Sequence, residues 1–242
     1  MGFYQQISKY YDYIFPASDK AVEFFTKRFI KHKVRSVLDV ACGSGNYLQA
    51  LAEKGYQMTG VDLDLAMVEA AQAKAKANKL NYTVIQGDMQ SLDSILFEKF
   101  DALICIGNSL VHLIVKEEIL KALRGFYSRL HSKGMAIIQI INYDRIIEQN
   151  IDALPTIENR KIGLSFVRKY DYRPEEEIVY FNTLLTVPGE KYENSIPLYP
   201  LVKDDLISMI EEAGFESWDL HGGFDEKPWT PSSYATVVVA YK

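Results

Sequence analysis

Two rhythms of apolar and polar positions run along the chain. Short, nearly all-apolar runs at 36–41 (SVLDVA), 56–63 (YQMTGVDL), 81–88 (NYTVIQGD), 100–107 (FDALICIG) and 135–142 (MAIIQIIN) predict buried strands. Between them, 46–55 (NYLQALAEKG), 64–79 (DLAMVEAAQAKAKANK) and 117–134 (EEILKALRGFYSRLHSKG) predict helices. Gly55 and Gly134 are the expected stops, and Asp64 the expected N-cap. Ile119, Leu120, Leu123, Phe126, Tyr127 and Leu130 share one face of the third helix. Such strand–helix repeats imply a parallel sheet with helices on both faces. Upstream, Phe24, Phe25 and Phe29 at helical spacing predict a helical N-terminal cap. Downstream the rhythm changes. GLSFVRKYDYR and EIVYFNTLLTVPG, separated by PEEE, predict an antiparallel hairpin inserted into the frame. A helix at 203–214 and strands near 215–221 and 234–241 close the chain. The expected fold is α/β, a doubly wound, seven-stranded, mostly parallel, Rossmann-like sheet in one domain. Its parts are a cap (1–33), a core (34–150), an inserted hairpin lid (160–200) and a C-terminal helix with strands (201–242).

Bulk composition narrows the function. The 242 residues are 48% hydrophobic and 24% charged, as in one ordinary globular domain. The two cysteines, Cys42 and Cys105, lie in apolar or glycine-rich surroundings, so a reducing, cytoplasmic setting is expected. MGFYQQISKYYDYIF has no basic segment followed by an apolar one, and Gln6 stands where an N-acylation signal has Ser or Thr. No apolar run approaches the ~20 residues that span a bilayer, so no membrane is expected. A net charge of −5 disfavours nucleic acid as a partner. No interface stripe stands out, which leaves a homo-oligomer open.

The candidate chemistry begins at VLDVACGSGNY (37–47), an apolar strand that ends in a glycine turn and opens a helix. A helix N-terminus behind glycines offers free N–H groups and close backbone approach, the layout of a nucleotide site. Asp62 ends the next strand, near the interval at which a ribose-binding acid is expected. A dinucleotide loop would have a third small residue where this chain has Leu48. Asp39, just before the turn, is unfavourable beside a pyrophosphate and favourable beside a cation. S-adenosylmethionine carries a sulfonium and an ammonium and no phosphate. The order Asp39, Ala41, Gly43, Gly45 favours it over a nicotinamide dinucleotide, and the reading needs no metal. Asp88 ends the third strand, where it can accept the adenine amino group, and Met89 can pack on the purine. Asn108, Ser109 and His112 are polar groups on the loop after the fourth strand, facing the same crevice.

VLDVACGSG, GVDL and QGDM, in order on successive strands, make the chain resemble the class I S-adenosylmethionine-dependent methyltransferases. FDALICIGNSLVHL, INYDRII, VPG, LYP and KPWTPSSYATVVVAYK are similar to segments of the glycine N-methyltransferase family. The resemblance implies a cofactor pocket of Ala41, Asp62, Leu63, Asp88, Met89, Ile106 and His112, yielding S-adenosylhomocysteine after transfer. It implies an acceptor site using Asn108 and Tyr199, with Tyr10 and Tyr13 closing over it. One departure stands out. The family arginine that grips the amino-acid carboxylate is Ile141 here, and Arg145 and Arg168 are the nearest alternative cations, neither an obvious substitute.

A small-molecule acceptor is expected, with N-methylation as the leading chemistry. A neutral amine needs no obligatory base, an oxygen acceptor does, and of four histidines only His112 and His221 sit near the predicted crevice. Tyrosine faces can attract a sulfonium, and of the 16 tyrosines Tyr13 and Tyr199 are the candidates for the transfer path. The alternatives are O- or carboxyl-methylation, a nicotinamide oxidoreductase, and a non-catalytic protein on the same fold.

Overall fold

A computed structural model of the chain describes residues 3–242; Met1 and Gly2, the first residues of the expected cap, lie outside the described residues. The predicted apolar runs form β1 (Ser36–Val40), β2 (Gln57–Asp62), β3 (Thr83–Gln86), β4 (Phe100–Cys105) and β5 (Leu130–Ile141). Four further strands, β6 (Ala153–Asn159), β7 (Leu164–Arg173), β8 (Ile178–Val187) and β9 (Glu190–Leu198), precede β10 (Ser217–His221) and β11 (Ala235–Tyr241). The main sheet has the order β10-β11-β5-β4-β1-β2-β3. Strands β1 to β5 run parallel, and β11 enters antiparallel to β5. Strand order reverses between β1 and β4, so a crevice opens beyond their C-terminal ends.

Helices cover both faces. On one, α3 (Asp19–Lys31), α4 (Asn46–Ala52) and α5 (Leu65–Asn78) bury Phe24, Phe25, Phe29, Leu48, Leu51 and Ala71 against Val37, Met58 and Ile137. On the other, α6 (Leu92–Ile95), α7 (Lys116–Arg129) and, after the short α8 (Tyr143–Glu148), α9 (Lys203–Glu212) bury Leu92, Ile119, Leu123, Phe126, Leu206 and Ile210 against Leu38, Leu103 and Ile138. Neighbours Ile137 and Ile138 face opposite layers, as strand alternation requires. The expected N-terminal cap therefore divides. Its phenylalanine helix α3 is part of the core, and only α1 (Phe3–Ile7), a 3₁₀ turn (Ser8–Tyr10) and α2 (Tyr11–Ile14) lie over the crevice.

Two expectations are corrected. The helix expected to reach Gly134 ends at Arg129, and Leu130 already belongs to β5. Leu130 is fully buried and continues the helix stripe, so periodicity hides the boundary. The inserted hairpin is the centre of a four-stranded antiparallel sheet, order β6-β7-β8-β9. The added edge strands carry Pro155 and Pro197, and β9 is rich in charge, which suits an edge and masks a strand signal.

The missing third glycine has a counterpart. Leu48, fully buried, packs so closely on Gly60 that a Cβ there would lie 2.6 Å from Leu48 Cδ1 and 2.8 Å from Cys42 Sγ. The close approach of helix and strand is thus supplied from β2, and Leu48 does not by itself exclude a dinucleotide. Gly60→Ala is expected to destabilise the fold by about 1–3 kcal/mol through overpacking. Urea unfolding of Gly60→Ala with and without Leu48→Ala checks this. The second substitution opens the space, so the two effects must be non-additive; simple additivity contradicts the packing account.

Candidate active site at the glycine turn

After β1 the chain turns through left-handed conformations at Ala41 (φ 58°), Gly43 (φ 55°) and Gly45 (φ 79°) before opening α4. Asp62 Oδ2 accepts from the Gly43 N–H at 2.7 Å, and its Oδ1 accepts from the Asp64 N–H at 2.9 Å. The acid at the end of β2 thereby fixes the turn. Burial pushes its carboxyl upward while these N–H groups pull it back. Asp64 caps α5 through Ala66 N–H at 2.9 Å, as expected. Gly45 serves packing: a Cβ would meet the Ala71 methyl at 2.9 Å.

Asp39 is 2% exposed, and its Oδ2 has no hydrogen-bond partner among the described residues. Burial, and then the nearby Asp62 charge, raise its carboxyl well above the usual range. A buried carboxylate oxygen left without a donor is costly unless a ligand supplies one.

Two adjoining cavities open from the turn. The first, about 340 Å³, runs from Asp39, Ala41 and Cys42 past Ile106, Asn108 and Ile141 to the four-stranded sheet. The second, about 470 Å³, is bounded by Gly43, Asp62, Leu63, Asp88, Met89 and Glu118. Ala41, Ser109 and His112 border both, as do Tyr4 and Tyr11. The Tyr11 hydroxyl lies so near Gly43 that a Cβ there would come within 2.9 Å of it. Asp39, Ala41, Gly43, Asp62, Leu63, Asp88, Met89, Ile106, Asn108 and His112 are thus brought together as the sequence suggests.

Other candidates lie elsewhere. Tyr13 is 49% exposed, and neither it nor Tyr10 borders these cavities; the Tyr10 hydroxyl donates to Glu190 at 3.0 Å. Tyr199 follows Leu198, which does line the first cavity, and faces the other way, its hydroxyl beside the Lys116 ammonium. Asn108, itself in left-handed geometry (φ 69°), accepts from the Ile141 N–H at 2.9 Å and donates to the Tyr143 hydroxyl at 3.1 Å, which ties β4 to β5. His221 packs on Phe24 away from the crevice.

Tyr4 was missed, and Tyr11, which KYYDYIF places near the mouth of the pocket, was passed over for Tyr13. With buried Ile7 and Ile14 they form a stripe of period three to four, and that spacing is the signal that finds them. Tyr234 and Tyr170, from β11's approach and β7, also line the first cavity. NYD is a structural node. Buried Asn142 donates to the carbonyls of Pro231 at 3.1 Å and Ser233 at 3.0 Å, and Asp144 accepts from the Lys203 N–H at 2.8 Å.

The N-terminal segment is latched from both sides. Lys74 Nζ pairs with Asp12 at 2.9 Å, Asn46 Nδ2 donates to the Phe15 carbonyl at 2.8 Å, and Lys9 pairs with Glu190 on β9 at 2.9 Å. The Tyr4 hydroxyl bonds His112 Nε2 at 3.0 Å. Burial lowers the His112 imidazole to about 4, so it is neutral at pH 7. Between pH 6.5 and about 4 the unfolded chain takes up a proton here that the folded chain refuses, so stability falls as pH falls. His112→Asn removes this component. The stability difference, wild type minus variant, should shrink by at most about 1.4 kcal/mol per pH unit across that window. Urea unfolding at a series of pH values checks it; a constant difference contradicts it.

The sequence profile of the methyltransferase domain family matches residues 37–134. A glycine/sarcosine N-methyltransferase of Aphanothece halophytica is 28% identical over 214 residues, 84% of this chain and 75% of that protein. A glycine/sarcosine/dimethylglycine N-methyltransferase of Actinopolyspora halophila is 31% identical over 84% of this chain and 35% of its own length. A crystal structure of an S-adenosylmethionine-dependent methyltransferase from Clostridium acetobutylicum superposes with a TM-score of 0.85 at 16% identity, covering 99% of each chain, and shares the fold. With the glycine turn, its anchoring acid and the orphaned carboxylate in place, the chain is an S-adenosylmethionine-dependent methyltransferase whose residues 37–134 match the methyltransferase domain and which is similar to the glycine/sarcosine N-methyltransferases.

Proposed function

We propose that the chain methylates the nitrogen of a small amine or amino acid. Asp39 offers the test of fit for the cofactor, because its unpaired oxygen at the turn suits an ammonium and repels a phosphate. Asp39, Ala41 and Asn46 would hold the amino-acid end in the first cavity. Asp62, Leu63, Asp88 and Met89 would hold the nucleoside in the second. Asp62 keeps lone pairs for two ribose hydroxyls beyond its two backbone bonds, and Asp88 uses Oδ1 on the Gln90 N–H at 2.8 Å, leaving its other oxygen to accept. S-adenosylmethionine supplies an electrophilic methyl group on a sulfonium centre.

The rest falls to the protein. The Tyr4, Tyr11, Tyr170, Phe181 and Tyr234 rings wall the first cavity and exclude water. Holding an acceptor there in line supplies up to ~7–11 kcal/mol through proximity and orientation. The observation that carries nitrogen over oxygen is His112. It is the one histidine bordering either cavity among the described residues, and its Nε2 is occupied by the Tyr4 hydroxyl. An amine that binds neutral needs no base, and its surplus proton leaves to solvent after transfer. The similarity to glycine and sarcosine N-methyltransferases along 84% of the chain supports the same reading.

S-adenosylhomocysteine formation is to be measured against amino acids, simple amines, carboxylates and phenols. Turnover with an amine or amino acid is expected; turnover confined to carboxylates or phenols contradicts the proposal. Asp62→Ala should weaken S-adenosylhomocysteine binding at least ~10-fold, given about 1.5–3 kcal/mol for a hydrogen bond to a charged group. Calorimetry checks it, and wild-type affinity would remove Asp62 from the cofactor site.

A further inference from the structure

On the inner face of the four-stranded sheet, side chains pair across strands in rows. Phe166, Leu185 and Tyr192 form one row, and Tyr170, Phe181 and Ile196 another. Between these two runs a polar row, Arg168, Thr183 and Asn194. Apolar rows on either side are what a sheet packed against a core requires, and the polar row needs another reason. Asn194 is occupied, donating to Gln6 Oε1 of the N-terminal segment at 3.1 Å. Arg168 donates from Nη2 to the Pro155 carbonyl at 2.6 Å, but its Nε is buried without a partner among the described residues. Thr183, 5% exposed and directly opposite on β8, has an equally unpartnered, buried Oγ1. Two orphaned groups thus sit side by side, and Arg168 itself lines the first cavity with Leu154, Tyr170 and Phe181.

Ile141, where the resembling family has its carboxylate-gripping arginine, lines this same cavity as part of its apolar wall. Arg145 is not its replacement: its guanidinium lies 5.8 Å from the centre of the Tyr234 ring and does not border the cavity. Arg168 does, from another strand and another sheet. A guanidinium offers fork-like donors that match a carboxylate, and a low-dielectric wall strengthens the pair.

We propose that Arg168, supported by Thr183, forms an anion subsite on the inserted sheet that holds a carboxylate of the methyl acceptor. The acceptor then carries both an amine and a carboxylate, with the carboxylate held from the sheet opposite the glycine turn. The inference rests on the N-methylation reading for the amine, and on the cavity alone for the anion. Asp39 and Arg168 are walls of one cavity, so the site offers one carboxylate to a cation and one guanidinium to an anion.

Two measurements separate this from the function it builds on. Acetate and glycine are titrated calorimetrically into the S-adenosylhomocysteine-saturated protein, wild type, Arg168→Met and Arg168→Lys. Arg168→Met is expected to weaken both anions ~10–100-fold, with Arg168→Lys intermediate and Thr183→Val ~3–10-fold weaker, from the loss of charge-assisted hydrogen bonds. S-adenosylhomocysteine affinity should be unchanged in all three, which also shows that they are folded. Glycine is then compared with methylamine in turnover, where Arg168→Met should raise the KM for glycine ~10–100-fold and leave that for methylamine within about 2-fold. Anion binding indifferent to Arg168, or an equal rise in KM for both amines, overturns the subsite. If no amine is methylated while acetate binding still depends on Arg168, N-methylation fails and the subsite stands.

Discussion

The fold is organised around a buried carboxylate, Asp39, whose Oδ2 has no partner among the described residues. Asp39 sits on an interior strand of the main sheet, paired in register with Gly60 on one side and Ile104 on the other, and almost out of contact with water. An ionised acid in that position is tolerated only if the surroundings are held stiffly and the missing charge arrives from outside. Stiffness comes from Asp62 clamping the Gly43 N–H, from Gly45 pressed on Ala71, and from Leu48 pressed on Gly60. Two helical layers anchor those contacts, so the strain of the turn is offset by burial elsewhere. The tyrosines of the N-terminal segment then cover the turn, with Tyr11 against Gly43 and Tyr4 on His112.

Most of the α/β frame was legible because its interior strands β1, β4 and β11 and the second half of β5 are covered on both faces and read as nearly uninterrupted apolar runs. The same logic explains the failures. Strands β6 and β9 are edges of a sheet open on its outer face, and Glu190, Lys191 and Glu193 make β9 read as a loop. Its accessibility nonetheless alternates strictly from Glu190 to Pro197, the pattern of a half-buried strand. The end of α7 was hidden because Leu130 satisfies a helical stripe and a buried strand equally well.

Within the site, legibility tracked topology. Asp39, Asp62 and Asp88 lie at or just past the C-terminal ends of parallel strands, and those ends face one crevice whatever else the chain does. Side chains from the inserted sheet and the N-terminal segment depend on a parity that the sequence does not announce. Leu198 faces the cavity and Tyr199 does not, a difference of one residue. Tyr4 and Tyr11 face the cavities, Tyr10 is turned towards Glu190 on β9, and Tyr13 is exposed. Arg168 was visible as a cation but not as a cavity wall, because its place follows from a register between β7 and β8 that only the folded sheet defines.

The ionisation of Asp39 is the most direct test of this account. With the aspartate carboxyls labelled with ¹³C, Asp39 is assigned by comparison with Asp39→Asn and titrated by NMR in the absence and presence of S-adenosylmethionine. The account predicts a carboxyl that titrates well above the ordinary aspartate range in the free protein and becomes ionised at neutral pH when the cationic cofactor binds. An Asp39 that titrates normally in the free protein, or whose titration is the same with and without cofactor, would contradict the claim that the site is built around an unpaired buried acid awaiting a cation.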